Sequence, residues 1–318
     1  MKKIISFIYL LTFILISQTL VVHANEIEDE KRMLMYKEFS IASGVPWYEI
    51  AAIDQYERNI IKFRESCPAE YETISICFED DVWSGPENPT HYDSNLATIN
   101  LFAGIGKDGN NDGVADINNE EDVLYTMVEY LRAFNNFEMA LTSYYNNEVG
   151  EKIIKEISQL FQTFETISLS ERSFPLSLKH NYSVVNNYGL GRSYGGVRSH
   201  EGIDIFADYS VPVLSTAYGV IEIVGWNDLG GYRIGIRDIY NTYQYYAHLH
   251  GFEGNLKEGD IVKPGQVIGY VGSTGYGKEG TSGKFPPHLH FGLYKYDGRR
   301  EWSFSPYPHL IKWEKIKK

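Results

Sequence analysis

The sequence contains little cysteine and few basic residues. Among its 318 residues there are two cysteines, Cys67 and Cys77, and 29 Lys and Arg stand against 42 Asp and Glu. Two cysteines exclude a multi-disulfide scaffold, and the acidic excess argues against a nucleic-acid partner because phosphate binding requires a basic face. In an exported protein the two cysteines are expected to form a disulfide, and the alternative is a pair of buried thiols. An aromatic content of 14% indicates a globular chain rather than a disordered one.

The first 24 residues have the pattern of a secretory signal peptide. Lys2 and Lys3 precede an almost entirely apolar run from Ile4 to Val22, and Val22-His23-Ala24 provides a cleavage site. The alternative is an uncleaved membrane anchor, because about 19 apolar residues can span a bilayer. Cleavage would release an exported protein with no membrane contact, since no later segment is long and apolar enough to cross a membrane.

Beyond this segment, charge and glycine are unevenly distributed. Residues 25–170 contain 28 acidic and 10 basic residues with 7 glycines, whereas residues 171–318 contain 14 acidic and 17 basic residues with 22 glycines. A chain of this length is expected to form about two domains, and the contrast predicts a two-domain α+β protein. We expect a helical domain over 25–170, a linker over 171–181, and an antiparallel β-rich domain over 182–318.

The acidic half has the residue spacing of amphipathic helices. A helix is expected to begin at Pro46, because proline fits the first turn of a helix, and apolar residues recur at helical spacing as far as Tyr56. The same spacing predicts helices near residues 123–134 and 137–145. This half is therefore expected to be mainly helical.

An acidic loop precedes the second of these three helices. Asp108, Asn110, Asp112 and Asp116 place oxygen atoms at alternate positions, with glycine at the sixth position, as is typical of a calcium-binding loop. The twelfth position is Asn119, where such loops have Glu. Ca²⁺ in the helical domain is therefore one interpretation, and a solvated turn that caps the next helix is the other.

Three segments of this half resemble lysozyme-like transglycosylase domains. They are Gly44–Glu57, the Asp108–Asp122 stretch with the helix after it, and Ala140–Asn146. The resemblance implies a lysozyme-like fold in which Glu57 is the general acid. The sequence departs from the family because Arg58 replaces the usual Ser and a Gly-Leu-Met-Gln-like segment is missing. A neighbouring Arg lowers the pKa of a carboxyl, so we expect a retained fold with lost or altered activity, and the alternative is that Glu57 is an exposed helical residue.

The glycine-rich half contains seven of the nine histidines, and five of the seven fall in three short motifs. The motifs are His200-Glu-Gly-Ile-Asp204, Tyr246-Ala-His248-Leu-His250 and His288-Leu-His290. Residues i and i+2 of a strand share a face, so the two imidazoles of a His-x-His pair point to the same side. Gly202 permits a turn that directs the imidazole nitrogen of His200 and the carboxylate oxygen of Asp204 to one point. Two imidazoles and one carboxylate form the catalytic type of zinc shell, which leaves a fourth position for water.

Together these motifs resemble the lysostaphin/LytM-type zinc endopeptidases, which cleave peptides of bacterial peptidoglycan. The resemblance covers about residues 185–308. It implies a Zn²⁺ site made of His200, Asp204 and His290, with His248 and His288 as catalytic residues. The other histidines of this half, His180, His250 and His309, are expected to be surface or core residues without a metal.

The order of the two domains resembles that of sporulation-associated wall peptidases that cut the L-Ala–D-Glu bond of stem peptides. This resemblance implies peptidoglycan as the partner and action in the cell wall or the spore cortex, and it defines no oligomeric state. One alternative is a wall hydrolase with two activities, in which Glu57 also cleaves glycan. Another is a non-catalytic LytM-type activator of other hydrolases, which the intact set of motifs disfavours.

Overall fold

The computed structural model describes residues 26–64, 71–193 and 196–316. The expected signal peptide and Cys67 lie outside the described residues. Cys77 takes part in a disulfide bond, and the sequence contains only one other cysteine. Among the described residues, no helix has both the length and the hydrophobicity needed to cross a bilayer.

Helices dominate the first half of the chain. Residues 26–43 are helical and form α1. The later helices are α2 (Trp47–Ile60, followed by a 3-10 turn at Ile61–Phe63), α3 (Asp80–Trp83), α4 (Leu96–Leu101), α5 (Glu120–Arg132), α6 (Phe137–Tyr145), α7 (Glu148–Phe164) and α8 (Tyr307–Trp313). The three helices expected from apolar spacing correspond to α2, α5 and α6 and are confirmed.

The second half is an antiparallel β structure. Its strands are β1 (Tyr182–Val185), β2 (Gly191–Arg192), β3 (Arg198–Ser199), β4 (Ile203–Ala207), β5 (Pro212–Leu214), β6 (Gly219–Asn227), β7 (Gly231–Arg237), β8 (Thr242–Phe252), β9 (Ile261–Val262), β10 (Val267–Val271), β11 (His288–Tyr296) and β12 (Glu301–Phe304). The main sheet has the order β1-β4-β11-β8-β7-β6-β9, with β10 on β5 and β8, and β12 on β11. β2 and β3 form a separate hairpin. The predicted antiparallel β domain is confirmed.

The described chain divides into two compact units that are interleaved in sequence. The helical unit comprises residues 26–58, 71–144 and 165–168, and the β unit comprises residues 59–64, 145–164 and 169–316. Each unit has a buried apolar interior of its own.

This division differs from the predicted boundaries at two places. α7 belongs to the β unit, where Lys152 of α7 lies 3.5 Å from the carboxylate of Glu222 on β6. The expected linker, residues 171–181, carries apolar side chains that are buried in the same unit, and Leu176 forms a β-bridge with Val213. The segment is therefore part of the β unit's core rather than a spacer.

The alternating pattern of β11 determines what faces the core. Leu289, Phe291 and Leu293 are almost completely buried within the apolar cluster of the β unit, as expected from their spacing. His288 and His290, which alternate with these apolar residues, point to the opposite face of the strand. The core of the sheet therefore fixes the position of both imidazoles.

In the helical unit, α2 carries a buried carboxylate. Asp54 and Glu57 are 0% and 1% exposed, so the interpretation of Glu57 as an exposed helical residue is wrong. Asp54 accepts hydrogen bonds from the Arg32 guanidinium at 3.1 Å, from the Tyr36 hydroxyl and from the Ser75 backbone N–H. We call Arg32, Tyr36, Asp54 and Ser75 the Asp54 cluster. Its partners come from other segments and compensate the burial of polar groups on this helix.

The acidic loop is closed by hydrogen bonds to its own backbone. Asp108 accepts one from the Gly113 N–H at 2.9 Å, and Asp122 accepts one from the Asp116 N–H at 2.8 Å. Asn119 caps the start of α5. Among the described residues, the one group of three or more side chains suited to a metal lies elsewhere, so calcium in this loop is not supported.

Candidate functional site

The register of β4 and β11 brings two of the predicted metal ligands together. His290 lies directly opposite Asp204 in the antiparallel ladder, and His200 precedes β4 by three residues. The Oδ1 atom of Asp204 lies 3.2 Å from His200 Nε2 and 3.3 Å from His290 Nδ1. The three ligand atoms all lie within 4.8 Å of one another. This donor set, two imidazole nitrogens and one carboxylate oxygen, fits a divalent zinc ion.

Neighbouring groups orient these side chains. His200 Nδ1 lies 3.0 Å from the Asn187 carbonyl and donates to it, which leaves Nε2 with a lone pair toward the other ligands. The Asn187 side-chain amide donates to Asp204 Oδ2 at 2.8 Å, and Arg192 donates to the same oxygen at 2.6 Å. These bonds leave Asp204 Oδ1 directed at the two imidazoles. Sequence reasoning missed Asn187 and Arg192.

Gly202 is required for close approach rather than for a special backbone conformation. A Cβ at this position would lie 2.6 Å from His290 Cε1 and 2.7 Å from the Phe291 carbonyl oxygen. Its φ is outside the left-handed region, so the expectation of a conformational role is corrected. Glycine lets the chain before β4 pass directly over the His290 ring.

A β-bulge places His248 at the same site. The register between β7 and β8 shifts between Tyr232 and Ile234, and His248 has a φ of 62°. Such a bulge redirects a side chain, and it separates His248 from His250, which strict alternation predicts on the same face. His248 Nδ1 lies 2.8 Å from the Thr274 carbonyl and donates to it, so Nε2 is left as an acceptor.

His288 has the same arrangement on β11. Its Nδ1 lies 2.9 Å from the Pro286 carbonyl and donates to it, while its Nε2 lies 3.6 Å from Asp204 Oδ1. The ring centroids of His248 and His288 are 4.9 Å apart. We call His200, Asp204, His248, His288 and His290 the histidine cluster.

Burial determines the protonation states of this cluster. Burial lowers the pKa of His248, and the neighbouring charges of His288 and His290 lower it further. Burial also lowers the pKa of His288 and of His290, although Asp204 opposes the effect. Burial would raise the pKa of Asp204, but the adjacent imidazole groups of His200 and His290 outweigh it and the pKa is lowered. Neutral imidazoles beside a charged carboxylate are the forms that bind metal ions and accept protons.

The cluster lines a cleft of about 460 Å³. Its other walls are aromatic and charged side chains that sequence reasoning missed: Phe206, Tyr245, Tyr276, Phe285 and Tyr294, with Arg192, Arg198 and Glu201. A signal for one of them was available, because Tyr276 stands between two glycines in a loop. The Phe285 ring packs against His248 with a centroid distance of 4.6 Å.

The remaining histidines of the β unit lie outside the cleft. His250 is exposed and contacts the Tyr209 hydroxyl at 2.8 Å. His309 is on α8 and packs against Trp313, and His180 is exposed in a turn. None of the three lines the cleft formed by the described residues.

Comparison with known proteins agrees with this geometry. Residues 198–302 match the sequence profile of Peptidase family M23. The chain is 49% identical over 289 residues to the L-Ala--D-Glu endopeptidase of Bacillus subtilis (strain 168), covering 90% of this chain and 89% of that relative. It is 40% identical over 92 residues to lysostaphin of Staphylococcus simulans, covering 28% of this chain and 17% of that relative.

Among solved structures, the catalytic domain of lysostaphin from Staphylococcus simulans is 36% identical with a TM-score of 0.32, covering 41% of this chain and 93% of that one. That score is too low to support an argument about the fold. The identity to the Bacillus relative extends over nearly the whole of both chains, and the matched profile contains every member of the histidine cluster. The chain therefore belongs to peptidase family M23.

Proposed function

We propose that this protein is a zinc-dependent endopeptidase that hydrolyses the L-Ala–D-Glu bond of peptidoglycan stem peptides. The observation that carries the proposal is the convergence of the whole histidine cluster in one cleft. The bond is proposed from the Bacillus subtilis relative, because that similarity extends over 90% of this chain. The lysostaphin match extends over only 28%.

His200, Asp204 and His290 are proposed to hold the zinc ion. Each offers one atom to a common point, and the set is the two-imidazole, one-carboxylate type that leaves a position open for substrate or water. Bound there, zinc would supply Lewis acidity toward the scissile carbonyl group. Asn187 keeps the His200 ring and the Asp204 carboxylate in orientation through its two hydrogen bonds.

His248 and His288 are proposed to move protons. Each holds its Nδ1–H on a backbone carbonyl, so Nε2 is the atom that can exchange a proton with the substrate side of the cleft. As a water oxygen attacks the peptide carbonyl, one Nε2 accepts the proton that the water loses. The protonated imidazole then donates that proton to the leaving amine nitrogen. The second imidazole stabilises the negative oxygen that develops when its own Nε2 carries a proton to donate.

The test is digestion of purified peptidoglycan followed by mass spectrometry of the fragments. The zinc-loaded protein is expected to release stem peptides that begin with D-Glu and to leave a single L-Ala on the glycan. His290→Ala should abolish this release, whereas His250→Ala, which changes an exposed histidine outside the cleft, should preserve it. Fragments cut at another bond would overturn the bond assignment, and no peptide cleavage at all would overturn the peptidase.

A second proposal concerns the helical unit. We infer a lysozyme-like ancestry with lost glycan cleavage, supported by the position of Glu57. A general acid must reach the glycosidic oxygen, and a residue that is 1% exposed offers no such access. Arg58, which replaces the Ser of that family, is engaged with the Thr73 carbonyl at 2.6 Å and the Glu28 carboxylate at 3.4 Å. New reducing ends or anhydro-muramyl ends released from wall by His290→Ala protein would contradict this inference.

The site of action is proposed to be outside the cytoplasm, in the cell wall or the spore cortex. The support is the amino-terminal signal pattern together with the wall substrate proposed above. The mass of the protein recovered from the producing cell tests it. Loss of residues 1–24 is expected, and a full-length protein held in the membrane fraction would contradict it.

A further inference from the structure

Two arginines lie opposite each other in the hairpin that borders the cleft. β2 pairs with β3 so that Arg192 is the direct cross-strand partner of Arg198. Directly opposed side chains have their Cβ atoms about 4.5–5.5 Å apart on one face, and like charges in this position destabilise the pair. Both arginines line the cleft. The hairpin therefore concentrates positive charge beside the histidine cluster at a cost in stability.

The two guanidinium groups have different partners. Arg192 donates to Asp204 Oδ2 at 2.6 Å, so its charge is neutralised by a residue of the cluster. Arg198 forms no ion pair with any carboxylate in the described part of the chain, and its Nε atom is buried without a hydrogen-bond partner. A half-buried guanidinium without a partner is poorly compensated. Of the pair, Arg198 is the cleft-lining arginine whose charge is not paired with a carboxylate of the described residues.

The surroundings of Arg198 place it close to the reaction centre. Its positive charge acts on the Tyr245 hydroxyl, and the Tyr245 ring lies 6.0 Å from the ring of the ligand His290. Besides Asp204, the carboxylate of Glu201 lines the cleft, and it contacts Tyr294 rather than Arg198. Burial and this carboxylate raise the pKa of Tyr294. Arg198 is thus available to an anion that enters with the substrate.

We propose that Arg198 binds a free carboxylate on the glutamyl side of the scissile bond and thereby selects an anionic substrate. The proposal rests on the proposed L-Ala–D-Glu cleavage. A glutamyl residue that is acylated at its nitrogen has two carboxyl groups, and continuation of the peptide uses only one. The other stays anionic next to the amide that is cut. A guanidinium matches a carboxylate with two parallel N–H···O bonds, which fixes the position of the residue as well as binding it.

The test compares two peptides that differ only at this group. One is an L-Ala–D-Glu stem peptide with the free glutamyl carboxylate, and the other carries the same group as an amide. For the wild-type protein kcat/KM is expected to be about ten- to hundredfold higher for the carboxylate, the range of a charge-assisted hydrogen bond. In Arg198→Gln the kcat/KM values for the two peptides should become nearly equal. The value for the carboxylate peptide should fall, mostly through a higher KM, and the value for the amide peptide should not change. Arg198→Lys should be intermediate, because it retains the charge without the fork.

Arg300→Gln is the matched control, since its side chain is 81% exposed in the same unit, and it should leave the ratio unchanged. Zinc content and melting temperature confirm that each variant is folded. An equal loss on both peptides in Arg198→Gln, or no preference in the wild type, overturns the inference.

Calorimetry separates this result from a failure of the proposed function. The probes are the D-glutamyl peptide released by cleavage and its amide, titrated into wild-type and Arg198→Gln protein. Carboxylate-selective binding that disappears in the variant supports the role of Arg198, whether or not the wild type cleaves the peptide. A wild type that leaves the L-Ala–D-Glu bond intact contradicts only the proposed cleavage. Equal binding of the two probes by the wild type overturns the role of Arg198 alone.

Discussion

Each unit contains a buried cluster of charged or titratable side chains, and the two clusters are constructed differently. In the Asp54 cluster, the Asp54 carboxylate accepts from Arg32, Tyr36 and Ser75, and Arg32 in turn donates to Gln55. Each charge is compensated inside the unit. In the histidine cluster, the pKa values of His248, His288 and His290 are lowered, and the hydrogen bonds of His248 and His288 to backbone carbonyls use Nδ1 rather than Nε2.

The two clusters differ in the direction of their polar atoms, and this direction distinguishes a cluster that stabilises the fold from one that can bind a ligand. Atoms that are all directed at one another fix two segments of a fold and leave nothing for a ligand. Atoms that converge on a cleft of about 460 Å³ leave their lone pairs for a metal ion and a substrate. Burial is similar in the two clusters, so exposure alone does not identify the functional one. Four changes test this contrast.

The largest effect is expected from Asp204→Ala in the histidine cluster. Removal of a proposed zinc ligand should lower kcat/KM for stem-peptide cleavage by about a thousandfold or more, because several kcal/mol of transition-state stabilisation are lost. The unfolding free energy of the zinc-free protein should change by less than about 2 kcal/mol, because the Arg192 side chain that loses its partner is 31% exposed to solvent. Zinc analysis and denaturant unfolding measure the two quantities. A large loss of stability with retained zinc would break the contrast.

Asp54→Ala should show the opposite pattern. It leaves the buried Arg32 guanidinium without its main carboxylate, which costs about 3–5 kcal/mol of unfolding free energy in the helical unit. Activity per folded molecule should be unchanged, because all the proposed ligands are in the β unit. Circular dichroism in denaturant measures the loss, with the exposed Glu30→Ala as a control expected within about 0.5 kcal/mol. Equal stability of the two variants would show that the Asp54 cluster contributes little.

Gly202→Ala tests the histidine cluster in a second way, because it displaces the His290 ring without removing it. The added methyl group would lie 2.6 Å from His290 Cε1, so the ring must shift out of its position. We expect zinc affinity to fall about ten- to hundredfold, as for other changes that misorient a ligand. Competition with a chelator measures the affinity. Gly251→Ala is the matched control, because a Cβ there meets nothing within 4 Å, and an equal fall in both variants would contradict the steric explanation.

The smallest effect is expected at a carboxyl pair between α7 and β6. Burial raises the pKa of Glu156 to about 8, and the Glu222 carboxylate adds to the shift. Between pH 4.5 and about 8 the folded protein keeps a proton that the unfolded chain releases, so stability is complete below this window and is lost as the pH rises through it. Glu156→Gln should remove this loss, giving about 1–2 kcal/mol more stability than wild type at pH 8.

Denaturant unfolding at pH 5 and pH 8 measures the effect. Glu258→Gln, at an exposed position of the same unit, should keep the wild-type dependence on pH. A Glu156→Gln protein whose stability changes between pH 5 and pH 8 by the same amount as that of the wild type would contradict the raised pKa of Glu156.

Local sequence patterns predict the orientation of those site residues that lie on one regular strand. The alternation around His288 and His290 follows from the period of a strand, and the same alternation buries Leu289 and Phe291. It failed for His248, because a bulge shifts the face of every later residue and has no signature in the sequence. The partners of the ligands, such as Asn187, were also missed, since their contacts depend on the packing of distant segments.

The same reasoning applies to the fold. The amphipathic spacing of α7 shows that one face is buried but does not show against which segment, and the acidic composition of its surroundings suggested the helical domain. The spacing of α2 does not show that Asp54 is buried, because the residues that compensate its charge lie on α1 and in the segment before α3. A polar residue can be recognised as buried only when its partner is known.

The interleaving of the two units in the sequence also governs how the chain can be made and divided. Residues 145–164 are synthesised before any strand. The apolar face of α7 therefore cannot pack in the β unit until β6, more than fifty residues later, has been synthesised. The helical unit is likewise completed by residues 165–168, which follow α7. No single cut between residues 145 and 168 leaves both units whole, and a fragment that starts at residue 171 lacks a helix of its own core. Folding of the peptidase part is therefore tied to the completion of nearly the entire polypeptide.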